Sequence, residues 1–276
     1  MGLDTVAWMV LPLIYIALAA SHEVADERAS LANLAHGGFF ALGAYGFALG
    51  LDQDRAPQTA VILAVLLPVA VGTIVAPGLL QLRDARSFAL ATFVAFVALR
   101  VLALSVEGLT GGAGSIAINF LYRPDIVYYA ALVVAAWTVW TLYREARAGR
   151  GQRLYARIRA FVIGAAQAGL AGIVLVMHTR RVDPEMVLSL ELAVLPWLMA
   201  TVGGRGMPTG PVAGALVVLA VHALAGPQAL WARLAIDGTL LLVAWRLLPH
   251  GLVGLPLLGR ALASVGLVRR ADALDR

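Results

Sequence analysis

The stretch Thr59–Leu82, TAVILAVLLPVAVGTIVAPGLLQL, decides the fold class. Its 24 residues contain no charged side chain, and a helix of roughly 20 apolar residues crosses a hydrocarbon core of about 30 Å. Working outward, segments of the same kind recur at Val6–Ala20, Leu31–Gly50, Ser87–Ser105, Ile126–Tyr143, Ala160–His178, Val187–Val202, Val212–Ala225 and Leu230–Leu247. The expectation is an all-α polytopic membrane protein with about eight or nine transmembrane helices in a single domain over residues 1–276. The segments at Leu31, Val187 and Val212 are Gly-rich or short, so each either spans or re-enters.

Composition excludes the soluble alternatives. Of the 276 residues, 61% are hydrophobic and 13% charged, and the mean hydropathy is +0.85; soluble domains run near 45–50% apolar and about 25% charged. Gly 28 and Pro 12 suit membrane helices, whose neighbours re-satisfy interrupted backbone. The chain has no cysteine, which excludes disulfides, thiolate metal sites and cysteine nucleophiles. All basic residues are arginine, and the pI is about 10.1. That balance would suggest nucleic acid in a soluble protein. Here the arginines sit in short loops, where the positive-inside rule accounts for them, and no nucleic acid is expected.

The most basic loop, Arg144 to Arg159, carries Arg144, Arg147, Arg150, Arg153, Arg157 and Arg159 against the single acid Glu145. A loop of this kind stays in the cytoplasm. Alternation then puts Arg83–Arg86, Gly203–Pro211 and the basic tail 248–276 on the cytoplasmic side, and residues 52–54, 106–125 and 183–185 outside. With nine spans the N-terminus lies outside and the C-terminus inside. Val6–Ala20 lacks a charged start and a small-residue cleavage site, so it is expected to remain as a span.

Three clusters carry polar chemistry in this apolar setting. The first is Ser30-Leu-Ala-Asn33-Leu-Ala-His36-Gly37-Gly38-Phe39-Phe40, continuing to Gly43 and Tyr45. Asn33 and His36 would share a face if both were helical, and polar groups inside a membrane face a partner helix or a water-filled path. The second is Glu107-Gly-Leu-Thr110-Gly111-Gly112-Ala-Gly114-Ser115, a turn-rich outside loop; no Gly-Lys-Ser/Thr follows it, so a nucleotide site is not supported. The third runs from Ser189 and Glu191 through Gly203-Gly204-Arg205-Gly206 to Gly210-Pro211-Val-Ala-Gly214. Glu191 is an ionisable group in an apolar segment, which makes function the default reading unless it sits at the membrane boundary. Gly46 with Gly50, and Gly210 with Gly214, have the spacing of close helix packing.

Other candidates carry less. His22-Glu23-Val-Ala-Asp26 begins like a zinc-protease motif but has Asp26 where the second histidine belongs, and the charged run His22–Arg28 reads as an acidic joint. His178, His222 and His250 lie apart near segment ends, which favours interfacial or packing roles. No Ser/His/Asp set or nucleophile elbow is present, so neither a catalytic nor a metal site is expected.

In this order and at these separations, the three clusters resemble the permease subunits of branched-chain amino acid ABC transporters, a family that also includes urea and amide importers. The likeness runs from about Leu31 to Gly214 and includes Leu109-Thr110-Gly111-Gly112, Ala168-Gly169-Leu-Ala-Gly172, Pro184-Glu185 and Ser189-Leu-Glu191. The resemblance implies a bundle in a bacterial inner membrane, without ATPase activity of its own and without a bound cofactor. ATP would act through cytoplasmic ATPase partners. A second, homologous permease subunit and a periplasmic solute-binding protein would complete the importer, as a homo- or heterodimer in membrane lipid. It places Asn33, His36, Gly37, Thr110, Gly111, Gly112 and Glu191 along the translocation path, and Arg144, Arg147, Arg150, Arg153, Arg157 and Arg159 where the ATPase docks.

The chain departs from the family pattern in two places. The family carries a longer cytoplasmic stretch with a docking helix where this chain has Arg144–Arg159, about 16 residues with Gly149 and Gly151 near the centre. The joint before the first motif is charged rather than apolar. Two readings therefore stay open: an ABC importer permease for branched-chain amino acids or similar small solutes, and a permease-derived membrane subunit that has lost ATP coupling and serves as scaffold or partner in another complex.

Overall fold

The computed structural model describes residues 3–27, 32–52, 56–82, 84–119, 122–148, 153–227, 229–248 and 250–255. Almost all of them are helical. The elements are α1 (Leu3–Glu27), α2 (His36–Asp52), α3 (Pro57–Leu79), α4 (Ala85–Ser105), α5 (Glu107–Thr110), β1 (Ile116–Ala117), α6 (Pro124–Ala148), α7 (Leu154–Thr179), β2 (Arg181–Val182), α8 (Pro184–Val187), α9 (Leu190–Gly203), α10 (Gly210–Ala225) and α11 (Leu230–Leu247), followed by a 3-10 turn at Leu252–Gly254. Among the described residues, seven segments are long and apolar enough to cross a membrane: α1, α3, α4, α6, α7, the α8–α9 pair and α11 with its following turn. Helices α2 and α10, at 17 and 16 residues, are shorter. At 1.5 Å per residue both fall short of a full hydrocarbon core.

Helix ends follow local chemistry. Pro57 and Pro184 open α3 and α8, where the missing N–H costs nothing. Asp84, Asp183 and Ser189 cap α4, α8 and α9 by accepting from the backbone N–H groups of Ser87, Met186 and Leu192. The exposed Asp84 carboxyl is held below the usual range first by the Ser87 backbone N–H and then by its hydroxyl. Arg180 ends α7 in the left-handed conformation.

Helix α7 is the centre of the bundle and packs on α1, α2, α3 and α6. Its buried stripe is built from small residues, Ala160, Gly164, Ala165, Ala168, Gly169, Ala171 and Gly172, with Phe161 at the start. Hydrocarbon offers helices no hydrophobic reason to associate, so close approach of small residues supplies the packing energy. A β-carbon on Gly43 of α2 would overlap the Gly169 carbonyl, and one on Gly172 would overlap the Phe40 carbonyl. Gly46 and Gly50 lie against Ala64 and Ala60 of α3; Gly210 and Gly214 lie against the end of α9. The outer helices turn apolar side chains outward, including Ile62, Ile74, Leu90, Val94, Tyr129, Val133, Leu242 and Trp245. Faces of this kind are what a bilayer solvates.

Contacts also sort the connections into two ends. At one end, β1 and β2 pair antiparallel with Ile116 opposite Val182, Arg100 reaches Glu185 at 2.5 Å and the Leu188 carbonyl at 2.6 Å, and Phe47 meets Tyr122. At the other, Gly206 donates its N–H to Glu23, and Arg159 pairs with Glu145 at 2.9 Å.

Three sequence expectations change. The run from His22 to Glu27 is not a joint but the last turns of α1, because its buried face continues through Val24 and Ala25. Asn33 precedes α2 rather than lying on it, so it does not share a helical face with His36. The segment expected from Val187 is split at Leu188, where α8 ends and Ser189 caps a new helix. Arg83, Arg150 and residues 256–276, with most of the basic tail, lie outside the described residues.

The α2–α7 contact yields a stability test. Gly172→Val should destabilise the purified protein in detergent by about 3 kcal/mol through overpacking, whereas Gly78→Ala, where nothing lies within 4 Å of an added β-carbon, should leave the melting temperature nearly unchanged. Equal shifts for both variants would deny the close approach.

Candidate functional site

Two helices begin inside the bundle rather than at its ends. Helix α2 starts at His36 and α9 at Leu190, and a β-carbon on Gly37 would stand 2.6 Å from the Leu192 carbonyl oxygen and 3.3 Å from Phe96. The Leu34 N–H donates to Thr92 Oγ1 at 3.1 Å. Thr92 and Phe96 lie in the middle of α4, so both helix starts sit at mid-depth. The first backbone N–H groups of a helix have no intrahelical acceptor and carry partial positive charge. Here the caps are local: Asn33 Oδ1 accepts from the Ala35 N–H, and Ser189 Oγ accepts from the Leu192 N–H.

Below this contact, toward the end where α1 finishes, lies a buried polar group made of Ser21, His22 and Glu23 with Asn33 and His36. Ser21 Oγ donates to the Leu18 carbonyl at 2.9 Å and lies 2.8 Å from His36 Nε2. A hydroxyl has one proton, so Nε2 must be the donor to Ser21 and Nδ1 carries the lone pair. The serine is thus not deprotonated by this histidine, which argues against a nucleophile. His36 also meets the His22 ring edge-on at 5.3 Å. Among the described residues, neither the buried His36 Nδ1 nor the buried Asn33 Nδ2 has a hydrogen-bond partner, and Glu23 Oε1 accepts from the Gly206 N–H at 2.5 Å.

Above the contact, in the first turn of α9, Glu191 faces α10 and α11. His222 Nε2 lies 2.7 Å from Asp237 Oδ1, His222 Nδ1 lies 3.9 Å from Glu191 Oε1, and Arg233 lies 3.6 Å from Glu191 Oε2. Asp237 Oδ2 is buried with no hydrogen-bond partner among the described residues. Unpaired charge in hydrocarbon costs several kcal/mol, and opposite charges brought together at depth offset that cost. Glu191 and Arg233 line a cavity of about 450 Å³ together with Tyr15, Ser189, Leu192, Leu195, Leu230, Met186 and Glu185. Ligand atoms of Glu191, His222 and Asp237 lie within 4.8 Å of one another, a spacing that admits a cation. Arg233 already supplies positive charge there.

The sequence-derived candidates fall into separate places. Asn33, His36 and Gly37 stand together at the start of α2, and Gly37 touches the first turn of α9 just beyond Glu191. Thr110, Gly111 and Gly112 do not join them. Thr110 Oγ1 turns back to the Ala103 and Val106 carbonyls, and Gly111 and Gly112 take left-handed turns (φ 75° and 58°) that close the cap over α4. Of the arginines expected at the docking site, Arg144, Arg147, Arg157 and Arg159 lie within helices, and Arg150 lies outside the described residues. Arg144 and Arg147 stack on Trp140 and Tyr143, Arg159 pairs with Glu145, Arg157 is half-buried, and Arg153 precedes α7. Helix α6 runs through Ala148 and α7 begins at Leu154, so among the described residues no separate helix lies between them.

His222, whose position suggested an interfacial or packing role, lies 2.7 Å from Asp237 Oδ1 and 3.9 Å from Glu191 Oε1. Arg233, Asp237 and Tyr15 went unread in the sequence. The signal was present for two of them: Arg233 and Asp237 are ionisable residues within the apolar run Leu230–Leu247.

Comparison with known proteins adds one match. The family model described as branched-chain amino acid transport system, permease component, matches residues 5–154 and 152–245. The two matched stretches meet inside the arginine-rich connection between α6 and α7. No curated protein and no solved structure matches the chain.

The His222–Asp237 pair should be worth measurable stability. Asp237→Ala, which strands His222 at depth, should destabilise the protein by about 3 kcal/mol, and Asp237→Asn, which keeps an acceptor, by less than half as much. Thermal melting in detergent reads both, and identical losses would mean that the hydrogen bond is not what holds the cluster.

Proposed function

Since the chain belongs to the family of permease components of branched-chain amino acid transport systems, we propose that it is the membrane-conducting subunit of an ABC-type importer for branched-chain amino acids or similar small solutes in a bacterial inner membrane. The observation that carries this reading is the family match across residues 5–245. The geometry supports it: a polar cavity lies on one side of the α2–α9 contact and a buried polar group on the other, and discontinuous helices meeting at mid-depth are the usual setting for a transported solute. The chain would not hydrolyse ATP. Cytoplasmic ATPases would do so, a solute-binding protein would deliver cargo from outside, and a homologous permease subunit would complete the path.

One observation favours the second reading. Helix-to-helix passage from α6 to α7 leaves only residues 149–153 between them, too few for a helix that could lie in an ATPase groove. Either the partner permease supplies the docking helix for both halves, or the subunit works uncoupled from ATP within another membrane complex.

Uptake by whole cells carrying the chain, its partner permease and the ATPases separates the two. For the importer, replacing the catalytic glutamate of the ATPase should cut uptake to background, a loss of at least tenfold. Uptake that survives, or a purified complex without ATPase, assigns the chain to the uncoupled class. Orientation is checked on the same cysteine-free chain: Ser115→Cys should react with a membrane-impermeant maleimide in intact cells, and Arg153→Cys only after permeabilisation. The opposite pattern inverts the topology.

A further inference from the structure

We propose that Glu191, His222 and Asp237 bind one divalent transition-metal ion of the zinc class, which ties the first turn of α9 to α10 and α11. One ligand atom from each residue lies within 4.8 Å of the other two. Ligand atoms on a single ion of this kind stand about 3–3.5 Å apart, so the side chains have to close in by about 1 Å. The donors are two carboxylates and an imidazole, with no sulfur. Imidazole selects against magnesium and calcium, which favour oxygen alone, and the lack of a thiolate selects against copper(I).

Charge and hydrogen bonding both call for a cation here. Of the two acids that line the cavity, the exposed Glu185 pairs with Arg100 at 2.5 Å, and Glu191 has Arg233 at 3.6 Å. Among the described residues no arginine lies within ion-pair distance of Asp237, whose partner is His222 at 2.7 Å. With a neutral imidazole, Glu191, Asp237 and Arg233 together carry one surplus negative charge, at a depth where such a charge is costly. A second proton on the ring would cancel it, but Nδ1 faces Glu191 at 3.9 Å and that proton would not reach the other acid. Asp237 has a side chain only 3% exposed, and its Oδ2 has no hydrogen-bond partner among the described residues. A metal ion supplies both the positive charge and a partner for the buried carboxylate. To bind it, the neutral ring carries its one proton on Nδ1, toward Glu191, and turns the Nε2 lone pair to the ion. A carboxylate that accepts from the second ring nitrogen is the usual support of a metal-binding histidine. Arg233 does not block the ion: its side chain is 43% exposed, so it turns into the cavity as the ion takes its place on Glu191.

Equilibrium dialysis of zinc chloride against the purified, tag-free full chain tests this, in phosphatidylcholine nanodiscs that offer no anionic headgroup to the metal. One zinc should bind per chain, at least tenfold more tightly than magnesium. Glu191→Gln, His222→Ala and Asp237→Asn should each weaken zinc binding at least tenfold. Arg233→Gln, which removes the competing cation, should bind zinc at least as tightly as the unaltered chain, and so should a chain carrying His178→Ala and His250→Ala. Thermal melting separates a lost ligand from a lost fold: zinc should raise the melting temperature of the unaltered chain and leave that of Glu191→Gln where it stands. Absence of stoichiometric binding overturns the proposal and gives the surplus charge to a proton on His222. Binding undiminished in Glu191→Gln, His222→Ala and Asp237→Asn, a loss with Arg233→Gln as large as with Glu191→Gln, or equal affinity for magnesium overturns it too. Zinc binding is read on the chain by itself, so its failure leaves the permease reading in place, and failed uptake leaves the metal site in place.

Discussion

A carboxylate in hydrocarbon has to be neutralised where it stands, and Glu191 stands inside the bundle. That requirement organises the second half of the chain. Helix α9 begins one residue before Glu191, so the positive end of its backbone lies beside the negative charge. Helix α10 brings His222 and α11 brings Asp237 and Arg233, giving two acids, a guanidinium and an imidazole in one cluster. Moving any one of these helices out of register would strand an ionisable group at depth. The short α8 and the break at Leu188 follow from the same demand, because an uninterrupted helix from Pro184 would have no free N-terminus at that level. Arg100 covers the break from α4, donating to the Leu188 carbonyl that the end of α8 leaves open.

Small residues do the complementary work in the first half. The stripe of Ala and Gly on α7 lets α2 approach until backbone meets backbone, and this contact carries His36 and Gly37 to the first turn of α9. The bundle thereby holds two polar compartments with a thin apolar seal. On one side is the cavity with Glu191 and Arg233; on the other are Ser21, His22, Glu23, Asn33 and His36. Leu192 belongs to the seal, since its side chain lines the cavity while its carbonyl touches Gly37. A transported solute would need this contact to part, and two short helices meeting end to end are easier to separate than two packed along their length.

The membrane fold was legible because a bilayer imposes a length and an apolarity that few other environments do; Thr59–Leu82 alone conveys both. Glu191 was legible for the same reason, as a charge in the wrong solvent. The partners of Glu191 were harder to see. Arg233 and Asp237 lie four positions apart in one apolar run, yet nothing local says that they face α9 rather than lipid, and His222 looks like an end-of-segment residue until α11 is placed beside it. The helix boundaries near residue 30 misled for a different reason. A charged run, His22 to Arg28, suggests solvent, but His22 and Glu23 are buried against Asn33, His36 and the loop at Gly206, contacts separated by up to 183 positions in sequence. Thr110 and its glycines form a recognisable motif, but the turn they make, with Thr110 bonded back to the Ala103 and Val106 carbonyls, is not readable from the residue types alone.

The central claim is that solute enters the bundle beside Glu191. On the cysteine-free chain, Ser189→Cys places a single thiol on the cavity wall. In cells expressing the complete transporter, a charged, impermeant thiol reagent added outside should modify it, and an excess of the transported solute should slow that reaction several-fold. A thiol that stays unmodified, or reacts at the same rate with and without solute, would contradict the account.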